Sequence, residues 1–404
     1  MPIFDFLIFL TMDNKETYWV VIYPYVFIFN KGGKTLFYNS ETGESIFSET
    51  NREILELSKP ENMYSLLVDE NVLTKSHVFR QIIEKHFGEL IPFEKCNKKP
   101  VSIYPQCLIE RQEEEELIFE LKELTIMLTG ECSLKCIGCD YIYKQCLWCH
   151  KKADVIPFNR IKSFLGFIPL SGVSQINIIG GDILTYVSID EFLLYVTEFK
   201  VKIRIFLHYE LVNKHLEKLL KLFGNYDFSL VLLINSPFIY EVLLEITRKF
   251  EKFKVNYKVL VSSEKDYENA IKLSSNDNLD IIPIYNGKNL SFFVDNVFLN
   301  KEDIINSHVS MKEIFAHKLI NTNTFGKLVV YPDGQIFANV NKSPIGTIDD
   351  NIYKIIQSQL IEGSDWRSIR INKECLNCLF QWLCPSPSDY GIVLNVKNMC
   401  HLSP

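Results

Sequence analysis

The sequence has no basic tract and no run of about 18 uninterrupted apolar residues, the length a membrane-spanning helix requires. With a formal net charge of −7, the first lack argues against a nucleic-acid or anionic-membrane partner, because both present phosphate to the protein. The second argues against a membrane span. The opening MPIFDFLIFL is apolar, yet it carries Asp5 and no basic leader, so it makes a poor signal peptide, and Met12 is an alternative start. A disulfide framework is also missing. The 11 Cys are odd in number and fall in close C-x2-C pairs, a pattern that favours metal or cluster ligation in a reducing cytoplasm. The remaining composition, 47% hydrophobic and 23% charged over 404 residues, is that of a soluble globular chain with room for two or three domains.

Residues 17–47 read as strands. YWVVIYPYVFIF is rich in β-branched and aromatic residues, Asn30-Lys-Gly-Gly33 supplies turn chemistry, and KTLFYNS and ESIF follow on either side of Glu41-Thr-Gly43. NREILELS, MYSLLVDE and SHVFRQIIEKHF then show apolar residues at three- and four-residue spacing, which predicts three short helices. Together they make a winged-helix-like unit over residues 1–95. A linker over 96–122 holds Cys96 and Cys107, neither with a partner at ligand spacing, and the acidic run Glu113–Glu116 reads as a solvated connector.

From Leu124 to about Tyr285 apolar runs (LTIMLT, QINIIG, IRIFLH, SLVLLIN, YKVLVS, DIIPIY) alternate with amphipathic segments (NRIKSFLGFI, IDEFLLYVTEF, HLEKLLKLF, FIYEVLLEITRKF, YENAIKLS). Repeated βα order implies a parallel sheet with right-handed crossovers, whose ligand sites gather at the C-terminal strand ends. Cys132-Ser-Leu-Lys-Cys136-Ile-Gly-Cys139 follows the first of these strands. Three soft thiolates in a C-x3-C-x2-C loop can take three corners of a 4Fe–4S cube and leave the fourth iron open; a zinc site or structural thiols are the alternatives. Gly180-Gly181-Asp182 ends the second strand, its glycines letting backbone approach a ligand. Cys146, Cys149 and His150 form a tight C-x2-C-H group, read as a zinc site, an extra-cluster site or a reactive thiol pair. Near the end, VVYPDGQIF predicts a hairpin, and Cys375, Cys378, Cys384 and Cys400 supply four thiolates, enough to close a cluster or a zinc ion completely.

At its spacing the Cys132 loop resembles the cluster loop of the radical S-adenosylmethionine (radical SAM) superfamily, and the resemblance extends over about residues 120–404. It implies an α/β fold with a partial (βα)6 barrel over 123–300. It also implies a 4Fe–4S cluster on Cys132, Cys136 and Cys139, and S-adenosylmethionine (SAM) whose amino group meets Gly180, Gly181 and Asp182. Relatives carry Gly-Gly-Glu-Pro, where this chain has Asp182 and Ile183; an aromatic residue stands where it has Gly138. Its next strand ends, His208-Tyr-Glu210 and Asn235-Ser236, differ as well. The front of the chain resembles the PqqD-like domain of peptide-modifying enzymes. That implies a leader peptide adding a strand between Lys34–Ser40 and the helix near His77–His86.

The tail over 325–404 resembles the SPASM domain of peptide maturases. Ala338 and Ser388 replace two of that domain's ligands, so the resemblance implies one auxiliary 4Fe–4S cluster, or zinc, on Cys375, Cys378, Cys384 and Cys400. CLNCLFQWLCPSPSDY is similar to proteins of Bacteroidetes double-glycine peptide systems, some of them called pseudo-radical-SAM proteins. The implied function is radical maturation of a ribosomally made peptide. The alternatives are a catalytically degenerate protein that binds the precursor or a second maturase, and a structural protein with zinc in both Cys sets.

Overall fold

A computed structural model describes residues 16–62, 64–100, 114–152, 154–235, 245–246, 248–250, 252–272, 279–361 and 365–402. The alternative start at Met12, Cys107 and most of the FIYEVLLEITRKF segment lie outside the described residues.

The aromatic run near the front does not form one strand. Pro24 has no N–H to give a ladder, and the chain turns there between β1 (Thr17–Ile22) and β2 (Val26–Lys31). The two strands then enter different sheets. β2, β3 (Lys34–Asn39) and β4 (Ser45–Glu49) form an antiparallel meander, while β1 lies between β5 (Ser65–Asp69) and β6 (Gly88–Pro92). The helix expected over MYSLLVDE is therefore corrected to a strand. Its end is set by Asp69, whose side chain caps the following helix Glu70–Lys75 by accepting from the Val72 N–H at 2.9 Å. Helices Arg52–Ser58 and His77–Glu84 form as read, capped by Asn51 and Ser76. Their apolar faces bury Ile54, Leu57, Phe79 and Ile82 against Val20 and Phe37.

The groove expected beside Lys34–Ser40 needs a second correction. β3 is paired on both sides, by β2 and by β4, so it offers no edge. The open edges of the meander are β2 and β4, and helix His77–Glu84 packs against β4.

Six parallel strands follow in chain order: β7 (Glu123–Thr129), β8 (Gln175–Gly180), β9 (Lys202–His208), β10 (Ser229–Ile234), β11 (Val255–Val261) and β12 (Leu279–Pro283). β13 (Lys327–Val330) joins the same sheet parallel to β7, and β14 (Gln335–Phe337) returns antiparallel to it, followed by β15 (Gly346–Thr347). The predicted tail hairpin thus extends the central sheet. Strand alternation gives the sheet two apolar faces. Ile126, Ile178, Ile205, Leu232 and Val259 pack on the outer helices. Met127, Ile179, Phe206, Val231, Leu233 and Leu260 form the other face.

The tail also seals the front of the chain. Phe27, Leu36 and Tyr38 from β2 and β3 share a core with Ile314, Phe380, Leu383 and Cys384. Within that core the Val309 N–H donates to the Tyr38 hydroxyl at 2.6 Å.

Candidate metal and cofactor site

The chain leaves β7 through Gly130 into the three-Cys loop, and a short antiparallel return closes the excursion at its base. The Gly130 N–H donates to the Asp154 carbonyl at 3.2 Å, and the Lys152 N–H donates to the Gly130 carbonyl at 3.2 Å. Inside the loop Gly138 has φ +92°, and a Cβ there would lie 2.7 Å from the Tyr141 ring. This is the physical reason no aromatic side chain stands at 138: the backbone is left-handed and the space belongs to Tyr141. The Cys136 and Cys139 thiols share a hydrogen bond, which draws Cys139 down to about 7 and pushes Cys136 well above the usual thiol range. Burial pushes Cys132 up, and the Lys151 charge opposes that.

β8 brings the second predicted group against this loop. The Gly181 N–H donates to the Thr129 carbonyl at 3.0 Å and the Asp182 N–H to the Glu131 carbonyl at 2.6 Å. A Cβ at Gly181 would run into the Glu131 carbonyl and stand 2.8 Å from the Cys132 Cβ. Glycine is needed here for that close approach. The Asp182 side chain is buried, at 1% exposure. Its Oδ2 accepts from Lys214 Nζ at 2.9 Å and contacts His215 Nε2 at 2.8 Å, while Oδ1 is buried with no partner. Lys214 Nζ also lies 3.4 Å from Ser133 Oγ, tying the Cys loop to the same carboxylate.

Sequence reasoning missed Lys214 and His215. They sit on the short turn Asn213–His215 ahead of helix Leu216–Asn225, where charged residues read as a solvated helix start. It also missed the role of the segment after the loop. Ile142, Trp148 and Cys149 pack onto the second face of the parallel sheet with Met127, Ile179 and Phe206. Gln145 clamps the far side, its Nε2 donating to the Tyr285 carbonyl at 2.8 Å and its Oε1 accepting from the Tyr285 N–H at 2.8 Å. Both thiols of the C-x2-C-H group belong to this core. Cys149 is buried with this core, Cys146 is pushed up to about 12 by burial, and His150 stacks on Tyr143 at 3.8 Å.

His208 ends β9 beneath this segment. Its Nδ1 accepts from the Glu210 N–H at 3.4 Å, which leaves Nε2 to donate to Asn235 Oδ1 at 2.7 Å. Burial holds its pKa below the ordinary histidine value. The sign follows from proton uptake: below about pH 6.5 the unfolded chain binds a proton that folded His208 resists, so stability falls with pH there. Replacing His208 with Gln should flatten the thermal midpoint between about pH 7.5 and 5.5. An unchanged slope would remove His208 from the account.

In the tail, Cys375, Cys384 and their neighbours are drawn together by the Asn372-capped turn Lys373–Leu376 and by Cys400, which bridges Leu299. The Cys375 thiol lies 3.1 Å from Asn398 Oδ1. Burial pushes Cys384 up to about 12, with Cys378, Cys400 and Cys375 close enough to act in the same direction.

The two halves of the candidate site fit their groups differently. Three thiols on one loop, two already hydrogen-bonded and with Lys151 nearby, are a donor set suited to an iron–sulfur cluster. As arranged, no group of three or more His, Cys, Asp or Glu among the described residues stands close enough to grip a metal ion, so binding requires the thiols to turn toward a common centre. The carboxylate is half engaged: Oδ2 is held by a lysine and a histidine of the same chain, while the buried Oδ1 has no partner and is free to accept from a donor that reaches it.

No family model matches the chain, and neither does any curated protein. Among solved structures, Streptococcus suis SuiB is similar at 16% identity and a TM-score of 0.47, over 95% of this chain and 100% of that one. SuiB has also been solved with its precursor peptide SuiA, where the similarity is 15% identity and a TM-score of 0.44 over 95% and 99%. Histidine-tagged anSMEcpe with bound AdoMet is similar at 18% identity and a TM-score of 0.42, over 65% of this chain and 84% of that one. Superpositions this loose leave function to the chain's own residues. No helix of the described residues is long and apolar enough to cross a membrane.

Proposed function

We propose that this chain works in the maturation of a ribosomally made peptide as a cluster-bearing protein of radical SAM/SPASM type. The observation that carries the proposal is the C-x3-C-x2-C loop at the end of β7, held against Gly180-Gly181 at the end of β8 by backbone hydrogen bonds. Cys132, Cys136 and Cys139 would hold the cluster, and Cys375, Cys378, Cys384 and Cys400 a second centre of iron–sulfur or zinc. A bound 4Fe–4S cluster of this kind supplies one-electron chemistry toward SAM. The chain's own part is to hold thiolates, exclude water from the sheet face and place the peptide.

Two roles fit that description, a maturase and a non-catalytic partner. The retained three-Cys loop favours the first. Asp182 favours the second, because one oxygen of the group expected to hold SAM is already engaged by Lys214 and His215 and the other is buried. Replacing Lys214 with Met should leave a buried carboxylate short of its cation and cost about 1–3 kcal/mol, at the low end because the lysine is half exposed. The readout is the urea midpoint of the reduced protein, and no change would mean that the pair holds nothing.

In this reading the precursor docks on the N-terminal unit at β4. The register with β3 makes Thr50 and Gly33 a hydrogen-bonded pair, as are Asn39 and Glu44. By alternation the N–H groups of Ser45, Phe47 and Glu49 face away from the sheet. A peptide strand can add there, beside helix His77–Glu84. Deleting residues 1–95 would be a poor test, since Phe27 and Tyr38 belong to the tail's core. Replacing Glu49 with Pro removes one outward donor at an exposed position and is tolerated on an edge. It should weaken precursor binding by about tenfold or more with the unfolding midpoint nearly unchanged. Equal affinity, measured by fluorescence anisotropy, would move the docking site elsewhere.

A further inference from the structure

We propose that the second open edge of the meander, β2, docks an extended peptide from another chain, with an acidic side chain of that peptide reaching Lys318. The site lies between the N-terminal unit and the tail. It depends neither on a cluster nor on docking at β4, so each of these readings can fail without the others.

The edge is the first observation. The two-residue turn Gly32-Gly33 makes Lys31 and Lys34 a hydrogen-bonded pair. At the other end of the hairpin the Ser40 N–H donates to the Tyr25 carbonyl at 3.0 Å. Alternation between these two pairs turns the N–H and C=O groups of Ile28 and Asn30 away from β3. Among the described residues no strand lies beside them. The Asn30 side chain is committed elsewhere, to Ser58 Oγ at 2.7 Å and Thr35 Oγ1 at 2.6 Å, so what it offers the edge is backbone.

A cavity of about 270 Å³ beside this edge is the second. Ile28, Phe29, Asn30 and Lys31 all line it. Consecutive strand residues point to opposite faces, so a cavity that touches four in a row runs along the strand's edge. Its facing wall is built from Leu379 and Trp382 of the tail and the end of helix Met311–Leu319. That wall is held in place. His317 Nδ1 donates to the Trp382 carbonyl at 3.0 Å, and Phe315 packs edge-on to Phe27 with ring centroids 5.7 Å apart.

Charge names the occupant. Two lysines, Lys31 and Lys318, line the cavity, and no carboxylate does. Lys318 is half-buried and forms no ion pair among the described residues. Its Nζ rests over the Phe27 and Phe315 rings, 5.6 Å from each centroid. Ring faces attract an ammonium more weakly than a carboxylate in hydrogen-bond contact does. A carboxylate entering here would meet a partly desolvated cation, where a charged pair counts for more than it does in water. A peptide strand brings that carboxylate and pairs Ile28 and Asn30 in the same step. A small anion would use the lysine and leave the edge open, and a neutral segment would do the reverse.

The test is binding of two end-capped heptapeptides, Thr-Val-Thr-Glu-Thr-Val-Thr and its Gln counterpart, to the full chain. Each carries an uncharged dye and is read by fluorescence anisotropy at low salt. The Glu peptide should bind about tenfold tighter than the Gln peptide. Replacing Lys318 with Met should bring the two affinities together, and replacing it with Arg should keep them apart. Hydrogen exchange over residues 26–31 should slow when the Glu peptide is added. Equal affinities in the wild type, or no binding of either peptide, overturn the inference without need of a variant. So does a Glu preference that survives in Lys318→Met. Slowed exchange over Ser45–Glu49 in place of residues 26–31 gives the peptide to β4 and overturns it. Residues 26–31 already slow without peptide, in a chain that sediments as a dimer, give the edge to a second copy and overturn it too.

Discussion

Truncating Trp148 to Ala is expected to cost about 3–5 kcal/mol of stability, the usual loss for a fully buried tryptophan. Its side chain is 1% exposed and caps the second face of the parallel sheet, among Met127, Ile179 and Phe206. Its ring also stands edge-on to His208 at 6.4 Å. Neighbouring side chains on strands cannot collapse into the space, because both faces of the sheet are already packed. Denaturant unfolding of the reduced protein measures the loss. A cost below about 1 kcal/mol would mean that the segment after the Cys loop is loosely seated, and the inner face would then be available to a substrate.

Removing the metal proposed for the tail is expected to have an effect of similar or greater size. Thiolate metal sites contribute folding energy directly, because the unfolded chain has no preformed site. Here Cys378 and Cys384 sit against Phe380 and Leu383, whose core includes Phe27 and Tyr38 of the N-terminal sheet. Cys384→Ser should lower metal content by one centre and stability by about 3 kcal/mol or more, and the loss should reach the N-terminal unit through that shared core. Proteolysis near residues 26–39 would report it. Metal content and midpoint both unchanged would make these four Cys ordinary core thiols.

The central sheet was legible because its strands are continuous apolar runs separated by amphipathic segments, the pattern that burial on both faces imposes. The Cys loop and Gly180-Gly181-Asp182 were legible because spacing and strand ends are properties of the sequence itself. Two kinds of feature were not. Periodicity cannot place a short strand: MYSLLVDE carries apolar residues that suit either period, and β5 is a strand because β1 lies beside it. Nor does spacing reveal what a side chain meets across the fold. Lys214 reaches Asp182 from a turn after the next strand. The edge available to a peptide likewise depended on strand order, which put β3 in the middle and left β4 open.

The central claim is that this chain keeps a cluster loop while its own Lys214 and His215 engage the carboxylate that SAM would meet. The most direct measurement is release of 5′-deoxyadenosine by the reduced, reconstituted protein with SAM, in the presence and absence of the precursor, beside a Cys136→Ala control. The account predicts no release above the control in either condition, with iron present in the wild type. Release well above the control, above all when precursor is added, would contradict it and make the chain a working maturase.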